Sequence, residues 1–331
     1  MCLIILLKRE CHFLTKKLKV LLTNPIHPDC HQELIQECDV VVAPDIKPET
    51  LKGLISDCDG LIVRCQLPPD IFDNAQQLKA VVRHGVGLDF IPVYAASKKR
   101  IPVANLPGSN TNAVVEYCLA TIFYFRRRLD LIDSRLRAEG WAKARPLADP
   151  SAEIANTTLG IIGFGAIGSK LAQAAIGLQM KTISLTRRPE SLPSGVQAVS
   201  KAELFSQSDV IVICCPLNEE TRGLVDQAAI AAMKSNAILI NIARGPVVDT
   251  QAIISALKKG AIAGAAMDVH DQQPLTGQEA VFECPNLLLT PHIASITASS
   301  MKGMSEGSVK TILEIFRGNR PSNIVNPEVF S

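Results

Sequence analysis

Short apolar runs recur along the chain, each bounded by turn residues and separated by segments long enough for a helix. The first is Lys19-Val20-Leu21-Leu22-Thr23, broken by Asn24-Pro25. Val40 to Ala43, Gly60 to Arg64, Leu78 to Val82 and Ile101 to Ala104 follow, with helical stretches such as Glu49 to Ser56 between them. This alternation predicts a parallel sheet with helices on its faces. From Asn112 to about Glu139 the period lengthens to that of one long helix. Its apolar face carries Val115, Cys118, Leu119, Ile122, Phe123, Phe125 and Leu129. A second alternating series then begins at Thr158. Its strands are predicted at Leu159 to Gly163, Thr182 to Leu185, Val210 to Cys214, Ile238 to Ile242, Gly264 to Val269 and Leu287 to Leu289, and a last helix at about Ser295 to Arg317.

The expected architecture is α/β, with two Rossmann-like, doubly wound parallel-sheet domains. A cofactor domain over residues 110–297 is inserted into a discontinuous, flavodoxin-like substrate domain of residues 18–109 and 298–331. Residues 1–17 are expected to form a disordered extension. Met1 to Leu7 is too short an apolar run for a signal peptide, positive charge follows it at Lys8 and Arg9, and no small-residue cleavage site appears.

Composition supports this picture. The 331 residues, 47% of them hydrophobic, suffice for two cores. A formal net charge of +2, with no basic stripe, argues against a nucleic-acid partner. No run approaches the roughly 20 apolar residues of a membrane span. The ten cysteines are scattered through apolar segments without a C-x-x-C pair, so no metal site is expected. Free, buried thiols fit a reducing, cytoplasmic setting.

The chemistry concentrates at predicted strand ends. Leu159 to Gly168 is a strand running into G-x-G-x-x-G, followed by a helical segment. Gly163 permits the tight turn, Gly165 lets the backbone approach a pyrophosphate, and Gly168 allows close helix–strand packing. The helix N-terminus offers N–H groups to phosphates. Where an NAD site usually carries an acidic residue, the next strand ends in Thr186-Arg187-Arg188, with no carboxylate until Glu190. Two guanidiniums in that place favour the 2′-phosphate of NADP(H), with NAD(H) as the other possibility. Among the remaining strand ends, Arg244 could hold a substrate carboxylate and polarise its 2-oxygen. His292 is the natural proton donor and acceptor for that oxygen.

These motifs, taken in order, resemble the D-2-hydroxyacid dehydrogenase family, which includes 3-phosphoglycerate, glyoxylate/hydroxypyruvate and formate dehydrogenases. The resemblance covers residues from about 18 to 328. It rests on G-V-G-L-D (85–89), N-L-P-G-S-N-T-N-A-V-V-E (105–116), G-F-G-A-I-G (163–168), C-P-L-N-E-E-T-R-G-L-V (215–225), N-I-A-R-G-P-V-V-D (241–249), A-M-D-V (266–269) and T-P-H-I (290–293). It implies hydride transfer between NAD(P) and a small 2-hydroxy or 2-keto acid, with Arg244 binding substrate and His292 as acid/base. It further implies that backbone N–H groups of Val86 and Gly87 hold the substrate carboxylate and that Arg64 reaches its distal end. Ala166 and Ile167 would lie against the pyrophosphate, Cys215 and Pro216 along the adenosine side, and Ile242, Ala243, Asp268 and His292 against the cofactor, Asp268 near its nicotinamide end. Family members cross to a partner subunit near Gly140-Trp141-Ala142-Lys143, which implies a homodimer with Trp141 as an anchor.

Two departures stand out. The family places glutamate before the proline of this segment, paired with the histidine; here the sequence reads Asp268-Val269-His270-Asp271-Gln272-Gln273-Pro274, so Gln273 takes that position. A carboxylate beside imidazole favours its charged form, whereas an amide can orient the ring without doing so. Gln273 is therefore grouped with the catalytic residues. It also keeps two alternatives open: formate-type oxidation, which needs no proton transfer to a substrate oxygen, and a catalytically weak, cofactor-sensing binding protein of the corepressor type. The second departure is Phe90, where many relatives have asparagine; it should alter packing near the substrate loop. His84 and His270 are expected to be structural.

Overall fold

The computed structural model describes residues 17–331. Of the extension expected over residues 1–17, all but Lys17 lies outside the described residues. The chain divides into two compact units, one formed by residues up to Pro107 together with Met301–Ser331, the other by Gly108–Ser300.

The first unit begins with β1 (Lys19–Leu22), α1 (Pro28–Glu37), β2 (Asp39–Val42), α2 (Pro48–Ile55), β3 (Gly60–Val63), β4 (Ala80–Arg83), α3 (Val93–Lys98) and β5 (Val103–Ala104). Its five strands pair in parallel in the order β2-β1-β3-β4-β5. Successive residues of a strand face opposite sides of the sheet, and the two cores follow that parity. Leu21, Leu61, Val63, Val81 and Val103 pack on one face. Val20, Leu22, Ile62, Val82 and Ala104 pack on the other. Proline at the start of α1 and of α2 suits the first helical turn, where a backbone N–H has no partner. Lys17 donates to the Ile35 and Gln36 carbonyls in the last turn of α1, a favourable place for a cation.

The second unit comprises α4 (Thr111–Arg127), α5 (Leu129–Glu139), α6 (Trp141–Ala144), β6 (Thr158–Ile162), α7 (Ala166–Gly177), β7 (Lys181–Leu185), β8 (Val196–Ala198), α8 (Lys201–Gln207), β9 (Val210–Ile213), α9 (Gln227–Ala231), β10 (Ile238–Asn241), α10 (Thr250–Lys258), β11 (Gly264–Met267) and β12 (Leu287–Leu289). Its seven strands are all parallel, in the order β12-β11-β10-β9-β6-β7-β8. The strand order therefore reverses between β6 and β9, the position at which doubly wound sheets open a ligand crevice. The closing helix α11 (Ala298–Phe316) carries Val309, Ile312 and Leu313 into the core of the first unit.

The long helix expected from Asn112 to Glu139 is two helices. Arg128 adopts a left-handed conformation (φ 47°, ψ 42°) and closes α4 by donating its N–H to the Tyr124 carbonyl. The apolar period runs through the break, but burial does not: α4 buries Val114, Val115, Cys118 and Ile122, whereas α5 buries no residue. Packing thus fixes the first axis and leaves the second free to turn away. Strand β8, with two of its three residues exposed, gave no periodic signal. The eight cysteines among the described residues are free. No described helix is long and apolar enough to cross a membrane.

Candidate active site

The glycine motif of the second unit lies between β6 and α7. Gly163 has φ 94°, and a Cβ there would come within 2.8 Å of the Cys215 backbone. At Gly168 a Cβ would fall 2.4 Å from the Gly163 carbonyl, so the helix could not start so close to the strand. Gly165 differs, since a Cβ would meet nothing within 4 Å. The cradle is therefore tight on its protein side and open at Gly165 and Ala166, which are exposed. No side chain caps the first turn of α7, so its N–H groups remain available to a phosphate. These residues fit a dinucleotide pyrophosphate. Behind the loop, Cys214 Sγ donates to the Gly163 carbonyl at 3.1 Å. Burial pushes the Cys214 thiol well up and that of Cys215 to about 11, so both are neutral packing groups here.

Thr186, Arg187 and Arg188 follow the end of β7, with both arginines exposed. Thr186 Oγ1 accepts the Arg188 N–H at 3.2 Å. The Arg187 guanidinium lies 3.7 Å from Glu220 Oε2, which comes from the loop after β9. A carboxylate thus reaches the arginine pair from a remote part of the sequence, a neighbour that no local reading of β7 could supply. Pro216 leads into the same loop, its carbonyl accepting from the Thr221 hydroxyl.

Beyond β10, Asn241 is fully buried and serves as an internal template. Its amide donates to the Arg244 carbonyl at 3.0 Å, and its carbonyl oxygen accepts from the Ala243 N–H at 3.0 Å. Arg244 NH1 donates to the Ala243 carbonyl at 2.6 Å. Ile242 is half-buried and Ala243 buried. Gly245 permits a close crossing: a Cβ would meet the His270 carbonyl carbon at 2.2 Å. The backbone that presents Arg244 is thereby fixed against the segment after β11.

His292 sits at φ 58°, an unfavourable conformation for a side chain with a Cβ. Asp268, 1% exposed, holds it there. One carboxylate oxygen accepts from the Ile293 N–H and the Thr290 hydroxyl, each at 2.7 Å, and the other from the Ala294 N–H at 2.9 Å. The Asp268 carbonyl accepts the His292 N–H at 2.8 Å. Because the Thr290 hydroxyl donates to Asp268, the Tyr117 hydroxyl, 2.7 Å away, must donate to Thr290. Burial raises the Tyr117 pKa and keeps it a donor. The imidazole Nδ1 lies 3.1 Å from Gln273 Oε1; an amide oxygen only accepts, so Nδ1 carries hydrogen and proton exchange falls to Nε2. Asp271 is engaged by the Thr250 hydroxyl at 2.7 Å. His270 bonds the Thr290 carbonyl through Nε2 at 3.0 Å, a structural contact. Asn241, Thr290, Tyr117 and Glu220 were not singled out from sequence. Only Asn241, a polar residue ending an apolar strand, carried a local signal.

The loop Gly85–Gly87 follows β4 in the first unit. Its carbonyls are all engaged: Gly85 accepts the Leu106 N–H at 2.8 Å, Val86 the Asn105 amide at 2.7 Å, and Gly87 the Arg83 Nε at 3.1 Å. Among the described residues, the Val86 and Gly87 N–H groups have no hydrogen-bond acceptor. They are suited to receive an anion. Arg64 is turned toward its own unit, donating to the Pro25 carbonyl and lying 3.8 Å from Met301 Sδ. Burial lowers its pKa without neutralising it.

His84, 3% exposed, bonds Ser305 Oγ at 2.9 Å. Burial, with the charges of Arg64 and Arg83, lowers its pKa from 6.5 to about 3. The folded protein holds it neutral while the unfolded chain takes up a proton below about 6.5, so its contribution is fully present above that pH and lost as pH falls toward 3. Between pH 7 and 5 this should remove roughly 2 kcal/mol of stability. Urea unfolding at both pH values should show a smaller difference in His84→Gln than in the parent, and an equal difference would refute the assignment.

Comparisons with known proteins show what the chain is similar to. The family model for the D-isomer specific 2-hydroxyacid dehydrogenase NAD-binding domain matches residues 119–294. The glyoxylate reductase of Thermococcus gammatolerans is 36% identical over 326 residues, covering 95% of this chain and 97% of that protein. A crystal structure from Thermus thermophilus superposes with a TM-score of 0.85 at 30% identity, covering 93% of this chain and all of that one. The NADPH-dependent glyoxylate/hydroxypyruvate reductase of Sinorhizobium meliloti, in complex with NADP and malonate, gives a TM-score of 0.83 at 26% identity, covering 94% and 97%.

Proposed function

We propose that this chain, which belongs to the D-isomer specific 2-hydroxyacid dehydrogenase family, is a cytoplasmic reductase of small 2-oxo acids, glyoxylate and hydroxypyruvate first among them, with NADPH as its preferred reductant. The observation that carries this reading is the anchoring of His292. Its turn is clasped by a buried carboxylate and its Nδ1 is fixed by Gln273, so that Nε2 can deliver one proton. A bound nicotinamide supplies the hydride that reaches the carbonyl carbon. Arg244 polarises the 2-oxygen as negative charge gathers on it. His292 then protonates that oxygen from Nε2, and Gln273 keeps the ring oriented as its charge changes. Val86 and Gly87 receive the substrate carboxylate through their N–H groups, and Arg64 serves the distal end of longer acids.

Preference for NADPH rests on Arg187 and Arg188, whose fixed positive charge suits a 2′-phosphate. A panel of 2-oxo acids with both cofactors tests the reading. Glyoxylate and hydroxypyruvate should be reduced with NADPH. Replacing Arg187 and Arg188 together by alanine should raise KM for NADPH at least about tenfold and leave that for NADH nearly unchanged. Formate-dependent reduction of NAD(P) would instead favour the formate reading, and tight cofactor binding without turnover on any acid a sensing role.

Gln273→Glu places a negative charge beside the ring. It should move the limb of the reduction profile that reports His292 protonation upward by about one pH unit; an unchanged profile would count against the proposed role of Gln273. The molecule is also read as a homodimer. Leu129 and Trp141, 66% and 72% exposed, carry large apolar surface onto α5 and α6. The solution mass should be that of a dimer and fall to the monomer in Trp141→Ala.

A further inference from the structure

Three successive peptide units in the first unit present the same arrangement. The carbonyls of Gly85, Val86 and Gly87 are bonded by Leu106 N, Asn105 Nδ2 and Arg83 Nε respectively. In a trans peptide the N–H points opposite to its carbonyl, so the N–H groups of Val86, Gly87 and Leu88 each face away from a satisfied acceptor. None of the three has an acceptor of its own among the described residues. Such a run of N–H groups binds anions only if its geometry is held, because a mobile loop must be ordered at the moment of binding.

Arg83 has the contacts to hold it. Besides the Gly87 carbonyl, its NH1 donates to the Val63 and His84 carbonyls, each at 2.9 Å. It thus ties the loop to the end of the neighbouring strand β3. Its guanidinium carbon lies 3.6 Å from where a Cβ of Gly85 would be, and 4.8 Å from the centroid of the Phe90 ring. The ring provides a cation–π contact, and its own backbone is fixed where the Phe90 carbonyl accepts the Leu67 N–H at 3.0 Å. Gly85 has φ 140°, which a residue with a side chain rarely adopts, so the turn over the guanidinium is reserved to glycine.

We propose that Arg83, with Phe90 beneath it, is a positioning residue that sets the carboxylate affinity of the Gly85–Leu88 loop, with the Leu88 N–H as a further donor. The inference rests on the reading of Val86 and Gly87 as carboxylate donors. Arg83 does not touch substrate in this scheme: it acts through the Gly87 carbonyl. The fork geometry is essential, since Nε and NH1 serve different carbonyls, and a lysine could not bond them in the same arrangement.

Steady-state kinetics with glyoxylate and NADPH test this in Arg83→Met, Arg83→Lys and Phe90→Leu. KM for glyoxylate should rise about 10- to 100-fold in both Arg83 variants and less in Phe90→Leu, while kcat and NADPH affinity stay within about twofold. A purely structural role would lower the folded fraction and leave the KM of the remainder unchanged, which would overturn the proposal. So would restoration of parental KM by Arg83→Lys, which would make charge the cause. Amide hydrogen exchange at Gly85 and Leu106, whose N–H groups donate to the Arg83 and Gly85 carbonyls, decides the brace without substrate and independently of activity. Faster exchange in Phe90→Leu, which keeps the arginine and a bulky apolar residue, supports it, and unchanged exchange overturns it. Should the parent enzyme reduce no 2-oxo acid, the functional reading fails while the exchange result still decides whether Arg83 and Phe90 hold the loop.

Discussion

The buried carboxylate of Asp268 organises the second unit's candidate site. An ionised group so enclosed is strongly unfavourable unless donors surround it. Two backbone N–H groups and one hydroxyl do so, and they belong to the segment Thr290–Ala294. Satisfying the charge and shaping the turn are thus one event. The left-handed backbone of His292, which by itself costs about 1–3 kcal/mol, persists because the alternative strands a carboxylate in the core. Tyr117, on α4, joins the same network through Thr290, so the helix that opens the second unit contributes to placing a ring near the end of that unit.

Both units use one constructional rule, in which parallel strands end together and the loops that follow carry the candidate site residues. The rule leaves each loop with carbonyls and N–H groups to satisfy, and the chain meets this with buried or half-buried polar side chains just behind the loops. Asn241 does so for the Arg244 segment, Asn105 and Arg83 for Gly85–Gly87, and Cys214 for the glycine motif. Through these bonds they fix the backbone of the loops that carry the candidate site residues.

Much of this was legible in the sequence. The strands of both sheets announced themselves because buried parallel strands are nearly continuous apolar runs. The glycine motif was readable because each glycine answers a separate steric demand, and Gly163 and Gly168 meet backbone where a side chain would stand. What stayed hidden depends on contacts distant in sequence. The break at Arg128 follows from α5 burying nothing, which periodicity cannot report. Glu220 approaches Arg187 only because β9 and β7 flank β6 in the same sheet. Thr290 and Tyr117 are ordinary residues 173 positions apart until the fold makes them partners. Phe90 was noticed as a departure, but its meaning emerged only with the guanidinium above it.

The abundance of cysteine acquires a different sense in this light. The thiolate is the form that attacks oxidants and electrophiles. Every one of the eight described thiols has its pKa raised, burial being the first cause in each case. At neutral pH these sulfurs are apolar filler with almost no nucleophilic fraction. The described sulfurs are then poor attackers in thiol–disulfide exchange, whose rate depends on the thiolate fraction.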